Sequence, residues 1–283
     1  MSRRPKTLVL IFQYGFLLFM TFFSLYPLWF VILASGRSGQ RLFTLKLVDM
    51  LIPTSFTFEN YLTLLSGDKY PFTSWMRNSF MVAAITTIAC MLIATSAAFA
   101  FSRFRFYGRS AGLILLLAIQ AFPGVLSLVP VAQLLSAFGL YANLFGLVLA
   151  YVVGSLVFTT WLLKGYFDTI PIEIEEAAMI DGCGPIQSFF LIGLPMAKPA
   201  LAVTALLAFM GGWGEYVFAS VLIPAPDAKR TLMVGMYSLA NTPSIPWGLF
   251  AAGAVMTIIP VMIVYLYFQR YLIGGLTLGG VKG

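Results

Sequence analysis

The sequence predicts an all-α, polytopic membrane protein with six transmembrane helices, and three observations carry that expectation. Of its 283 residues, 60% are hydrophobic and 10% charged, with a mean hydropathy of +0.93, a balance that leaves too little charge to cover a soluble domain. Six apolar runs reach the length of about 20 residues that a helix needs to cross roughly 30 Å of hydrocarbon. Lys and Arg punctuate these runs instead of gathering on one stretch, so the net charge of +7 reads as membrane topology and excludes nucleic acid as a partner.

The runs fall at 8–34, 78–101, 111–135, 143–163, 200–223 and 248–270. The first follows MSRRPK but is too long for a signal-peptide core and lacks a small-residue cleavage site, so it is expected to stay as a span. Orientation follows from the basic residues of the short connections. SRFRFYGRS, 102–110, carries three arginines, whereas SAFGLYA, 136–142, carries none. Both termini are therefore expected in the cytoplasm, with 35–76 and 224–247 outside and 164–199 inside.

The third run, AIQAFPGVLSLVPVAQLL, holds Pro123 and Pro130 together with Gln120 and Gln133. Proline removes a backbone donor, which lipid tolerates only where other helices or a wet cavity satisfy the freed carbonyl. Two readings stay open: a kinked packing helix, or a segment lining a translocation path through Gln120, Pro123 and Pro130. In the second run, Ala94 and Ala98 lie four apart and suit close helix packing. Glu215, in GGWGEYVF, is the one acidic residue within a predicted span. Such a group costs about 2.5 kcal/mol or more to insert without a partner or water. It is either a pathway residue or a sign that the span ends early.

Several chemistries are excluded. The chain has no histidine, so imidazole metal sites and Ser-His-Asp catalysis are absent, and no metal site is expected. No HExxH, no paired intramembrane acids and no GxxxxGK[ST] phosphate loop occur. The chain is expected to be no enzyme and to hold no cofactor. Cys90 lies in an apolar run and Cys183 in a polar loop, environments that do not favour pairing.

The stretch EIEEAAMIDG, 173–182, gathers four of the ten acidic residues of the chain: Glu173, Glu175, Glu176 and Asp181. Pro171 suits the start of a helix, and acids just after it suit the positive end of the helix dipole. Gly182 and Gly184 can terminate that helix. Pro185 then opens a second stretch, IQSFFLIGL, which Pro195 is expected to close. Small Ala177 and Ala178 amid carboxylates would let a partner's surface approach and offer its basic groups a match. A solvated connection is the plainer alternative.

E-A-A from Glu176, Gly182 six residues after Glu176, Ile192 and the Leu194-Pro195 pair together resemble the loop signature of binding-protein-dependent ABC importer permeases. The chain is similar to the carbohydrate branch of that family in NSFMVAAITT, AAFAFSRFRF, FPGVLSLVP, LLKGYFDTIP and the ending QRYLIGGLTLGGVKG, from about residue 78 onward. FPGVLSLVP, WLLKGYF and LMVGMYSL look most like the MalG type of maltose/maltodextrin importers. The N-terminal third is much less diagnostic.

The resemblance implies a type I ABC importer permease fold in two parts. Residues 1–77 would hold the tail, first span and external loop, and 78–283 the permease core with its cytoplasmic loop 164–199 and C-terminal tail. It implies a heterodimer with a MalF-like second permease, a homodimeric MalK-like ATPase that binds ATP and Mg, and an extracytoplasmic sugar-binding protein. Glu173, Glu175, Glu176, Ala177, Ala178, Asp181, Gly182, Leu194 and Pro195 would couple to the ATPase. The tail Gly280, Val281, Lys282 and Gly283 would touch it as well. Asn241, Thr242 and Pro243, in the turn-rich external stretch 238–247, would meet the binding protein. The cargo it implies is maltose/maltodextrin, with trehalose, glycerol phosphate or another oligosaccharide as alternatives. An ion-coupled secondary transporter is the rival class, but it would need midplane ion-coupling groups, for which only Glu215 is available.

Overall fold

The structure, a computed structural model, describes residues 7–37, 51–52, 55–224 and 226–278. Helices supply all the regular structure among them. In chain order these are α1 Thr7–Ser35, α2 Glu59–Ser66, α3 Phe72–Arg103, α4 Arg109–Ala121, α5 Leu128–Ala137, α6 Leu144–Phe167, α7 Ile172–Ile180, α8 Pro185–Met196, α9 Lys198–Gly214, α10 Val217–Leu222, α11 Leu232–Ala240 and α12 Trp247–Leu278. By length and hydropathy α1, α3, α6 and α12 each qualify as membrane spans, and the pairs α4–α5 and α8–α9 qualify as two more if each bent pair counts as one.

Two of the six candidate spans are bent pairs. The third run breaks at Phe122–Pro123, passes through a tight turn at Gly124–Ser127, and turns by 91°. Pro123 breaks the ladder, but Pro130 does not, because it lies in the first turn of α5, where backbone N–H groups lack intrahelical acceptors anyway. The fifth run stops at Gly214 and resumes only at Val217. Its bend of 76° lies at the other end, between α8 and α9.

The chain divides into two compact units. In the first, residues 1–72 and 236–259, α2 is fastened to the end of α1. Ser35 and Tyr61 share a hydroxyl hydrogen bond of 2.6 Å, and Asn60 Nδ2 donates to the carbonyls of Ser35 and Arg37. Most of α1 is exposed.

The second unit, residues 73–235 and 260–283, carries two buried clusters that set helix direction. Val82 of α3 shares one with Leu147, Tyr151 and Val152 of α6. Ala94, Ala98 and Phe99, further along α3, share the other with Leu163 and Phe167, further along α6. The two helices therefore run parallel, and the chain between them must return across the bundle. In α9 the order reverses: Ala197, just before it, joins the Phe99 cluster, and Gly212 approaches Ala83 and Tyr151. The ends of α3 and α6 and the start of α9 thus share one face, as expected for the connections 102–110 and 164–199. Ala94 and Ala98 are fully buried, so the small-residue face of α3 serves packing.

On the opposite face the NSF triplet has a structural cause. Asn78 Nδ2 donates to the carbonyls of Ala228 and Arg230 at 2.9 and 3.1 Å, Ser79 Oγ accepts from Leu232 N at 2.7 Å, and Trp75 Nε1 reaches Asp227 O at 2.7 Å. These side chains hold down a connection with little apolar anchorage of its own. Asn78→Ala leaves two partly buried carbonyls without donors and should cost about 1–3 kcal/mol. The expected result is a lower thermal unfolding midpoint in detergent than that of Ser96→Ala, which alters an exposed hydroxyl.

Candidate functional site

The connection after α6 folds as helix, turn and helix for reasons legible in its residues. Pro171 occupies the position just before α7 rather than its first turn, and Glu173 and Glu175 occupy that first turn. At the other end Cys183 N bonds Ala178 O at 3.0 Å and Gly182 N bonds Met179 O at 3.1 Å. That is a Schellman closure, which requires a left-handed residue at Gly182, here with φ +95°. Gly182 therefore has a local role: a side chain there would strain the turn.

The second helix does not close at Pro195. It continues to Met196 because a wide turn over Phe189–Gly193 intervenes, with Leu194 N bonded to Phe189 O five residues back. The extra residue in that turn relieves the clash that a proline ring makes with the carbonyl four positions earlier.

The acids do not form one surface. Glu173, Glu176 and Asp181 are exposed, as are Ala177, Gly182 and Pro195, while Ala178 and Leu194 are half-buried. Glu175 departs from the expected outward cluster: it is 2% exposed. Its Oε1 accepts from Arg103 Nε at 2.8 Å. The same guanidinium donates from Nη1 to Ser102 Oγ at 3.1 Å and from Nη2 to Ile170 O at 3.0 Å. Ser102 in turn donates to Asp168 Oδ1 at 2.7 Å, and Lys164 holds Oδ2 of that carboxylate at 2.5 Å. The ends of α3 and α6 and the start of α7 are tied in one polar network.

Beneath it, Phe99 meets Phe167 edge to face at 5.5 Å and Phe189 at 4.8 Å between ring centroids. Gly193 lies so near this cluster that a Cβ would come within 3.1 Å of Phe99. The outward side of the connection carries apolar groups as well as carboxylates: Ile180 is 87% exposed, and Met179 and Ile186 are also exposed.

Glu215 sits at the break between α9 and α10, so the helix ends early there. Its carboxylate accepts from Phe218 N at 2.7 Å, from Ala219 N at 3.0 Å and from the Tyr151 hydroxyl. It caps a helix start that would otherwise leave buried donors unpaired. Gln120, Pro123 and Pro130 all lie on exposed surface of the broken third span. A cleft of about 240 Å³ opens between α6 and α9, lined by Gly154, Ser155, Phe158, Thr159, Thr204 and Gly211 among others. Asn241 and Thr242 spend side-chain bonds on their own turn, Asn241 Nδ2 on Tyr237 O and Thr242 Oγ1 on Leu239 O and Ser244 O, and Pro243 is exposed. Gly280, Val281, Lys282 and Gly283 lie outside the described residues; α12 extends to Leu278.

The profile of the family described as binding-protein-dependent transport system inner membrane component matches residues 90–276. The chain belongs to this family. It is an inner-membrane permease subunit of an ABC importer and not an enzyme. It is 36% identical over 276 residues to the galactooligosaccharides transport system permease protein GanQ of Bacillus subtilis, covering 97% of this chain and 96% of that one. It is 37% identical over 298 residues to the maltose/maltodextrin transport system permease protein MalG of Salmonella typhimurium, covering 99% and 98%. A solved bacterial ABC transporter involved in the import of the acidic polysaccharide alginate shares the fold, with a TM-score of 0.80, 24% identity, and coverage of 95% of this permease and 99% of that chain.

Sequence reasoning missed the buried partners of the permease loop. Arg103 was legible only as a topology marker, since nothing linear links it to residue 175. Gly193 left one signal, a glycine inside an apolar helical stretch, which costs helix stability unless close packing needs it.

The network makes a pH prediction. Burial would raise the Asp168 carboxyl, but hydrogen bonds from Lys164 and Ser102 and the charges of Lys164 and Arg103 outweigh it and hold the group below its ordinary range. A carboxyl lowered by folding contributes stability that is complete above its unfolded value of about 3.9 and is lost as pH falls through the folded value. In detergent, the native chain should lose more stability than Asp168→Asn between about pH 5 and pH 3, with parallel behaviour above that window. Acid unfolding curves for the two chains check it.

Proposed function

We propose that this chain is the sugar-translocating permease of an importer that receives an oligosaccharide from an extracytoplasmic binding protein, pairs with a second permease, and is driven by an ATPase dimer docked on α7 and the following turn. The observation that carries the docking is the outward side of α7. A nearly bare Ile180 lies on a short connecting helix with exposed Glu173, Glu176 and Asp181. An exposed apolar group rimmed by charge suits a protein partner with an apolar cleft and basic edges. Ala177 lets that surface come close. ATP and Mg bind to the partner, and closure of the ATPase dimer moves the docked helices and tilts the spans from an inward-facing to an outward-facing state.

Both termini are cytoplasmic in this reading, supported by the arginines of 102–110 and by the common face that this connection shares with the docking loop. Gln120 and Gln133 support a path or a partner along the broken third span, because exposed amides there would otherwise face hydrocarbon. The proposed cargo is maltose/maltodextrin, from the MalG-like stretches. The 36% identity to GanQ keeps galacto-oligosaccharides as a specific second reading.

Glu176→Lys should insert normally yet lose most ATPase co-purification, and Gly182→Leu should do the same by straining the Schellman turn. Full uptake in both variants would remove the docking reading. Tyr107→Cys, on the connection 102–110, should label only from the cytoplasmic side. Uptake competition by the reconstituted assembly against a panel of unlabelled α- and β-linked sugars decides the cargo.

A further inference from the structure

The attachment of α7 differs from that of an ordinary surface helix. Among its nine residues only Glu175 is buried. Ile172, Ile174, Met179 and Ile180 are all exposed, so no apolar stripe seats the helix on the ends of the spans. A helix this short has little stability by itself. Beyond the turn that joins it to α8, its direct tie to α3 is this one buried side chain, which is ion-paired with the last residue of α3. The two side chains are 3% and 8% exposed.

Burying such a pair is a weak route to stability, because desolvation offsets the attraction and an apolar pair would do as well. A guanidinium with three acceptors fixes something that apolar packing does not, the distance and angle between two helices. Here those acceptors are Glu175 Oε1, Ile170 O and Ser102 Oγ.

We propose that the Arg103–Glu175 pair is a rigid joint that carries displacement of α7 directly into α3, so that α3 moves with the docked helix and the loop absorbs none of the motion. The inference rests on α7 being the ATPase dock. Arg103 and Glu175 are positioning residues: neither touches cargo or ATPase. The exposed acids hold the partner, and the buried acid passes the movement on.

The test uses the whole importer in liposomes, with ATPase retention, ATP hydrolysis and sugar imported per ATP measured together. Glu175→Gln keeps the ATPase bound and hydrolysing, while sugar per ATP falls about tenfold, within the range usual for coupling between sites. The exchanged pair Arg103→Glu with Glu175→Arg recovers much of that loss, which a merely structural defect would not. Unchanged sugar per ATP in Glu175→Gln overturns the joint, and so does loss of the ATPase, which would make Glu175 a docking residue.

A second measurement needs no weakened chain. With Cys90 and Cys183 replaced by Ser, spin labels at Ile88→Cys on α3 and Ile172→Cys on α7, both exposed and outside the proposed docking residues, should report one unchanged distance in nucleotide-free and ATP-bound transporter. A distance that shifts with nucleotide overturns the joint. Glu176→Lys in the same assay separates the two readings: if it retains both ATPase and coupling, the dock has failed rather than the joint.

Discussion

One guanidinium, that of Arg103, satisfies three acceptors: the hydroxyl of its neighbour Ser102 and, on the connection after α6, the Ile170 carbonyl and the Glu175 carboxylate. The face that carries the connection after α6 depends on this meeting point. It lies where α3 ends, so the cation also faces the negative end of that helix dipole. Its position is possible only because the aromatic floor of Phe99, Phe167 and Phe189 brings the ends of α3 and α6 and the return into α9 to one place. Packing provides the platform, and hydrogen bonds give it direction.

The same division of labour recurs at the breaks in the helices. Where α9 stops at Gly214, backbone donors of the next helix turn to the Glu215 carboxylate rather than to water. Where the loop helix meets Pro195, a widened turn takes up the lost ladder bond. In a chain with so few charges, the buried Glu175 stands in for a missing apolar seat and the half-buried Glu215 for missing backbone partners.

Family membership adds a functional frame to these contacts. An importer permease must receive force on one face and alter a pathway some distance away, which requires that its loop be both accessible and firmly mounted. In the proposed docking, the outward carboxylates and Ile180 provide access. The inward Glu175, the Schellman turn at Gly182 and the close approach at Gly193 provide the mounting.

The sequence by itself determined the solvent, the helical class, the apolar segments and the place of the loop, because those depend on composition and on signals within a few residues: Pro171, the acids after it, and Gly182. Motif spacing then pointed to the family. Tertiary structure alone decided which acid turns inward, since Glu173, Glu175 and Glu176 are equivalent in local physics until Arg103, 72 residues earlier, arrives beside one of them. It also decided that Pro123 bends a span while Pro130 does not, and that Glu215 caps a broken helix. The pairing of charges and the fate of freed backbone groups are set by neighbours distant in sequence, and no local pattern encodes them.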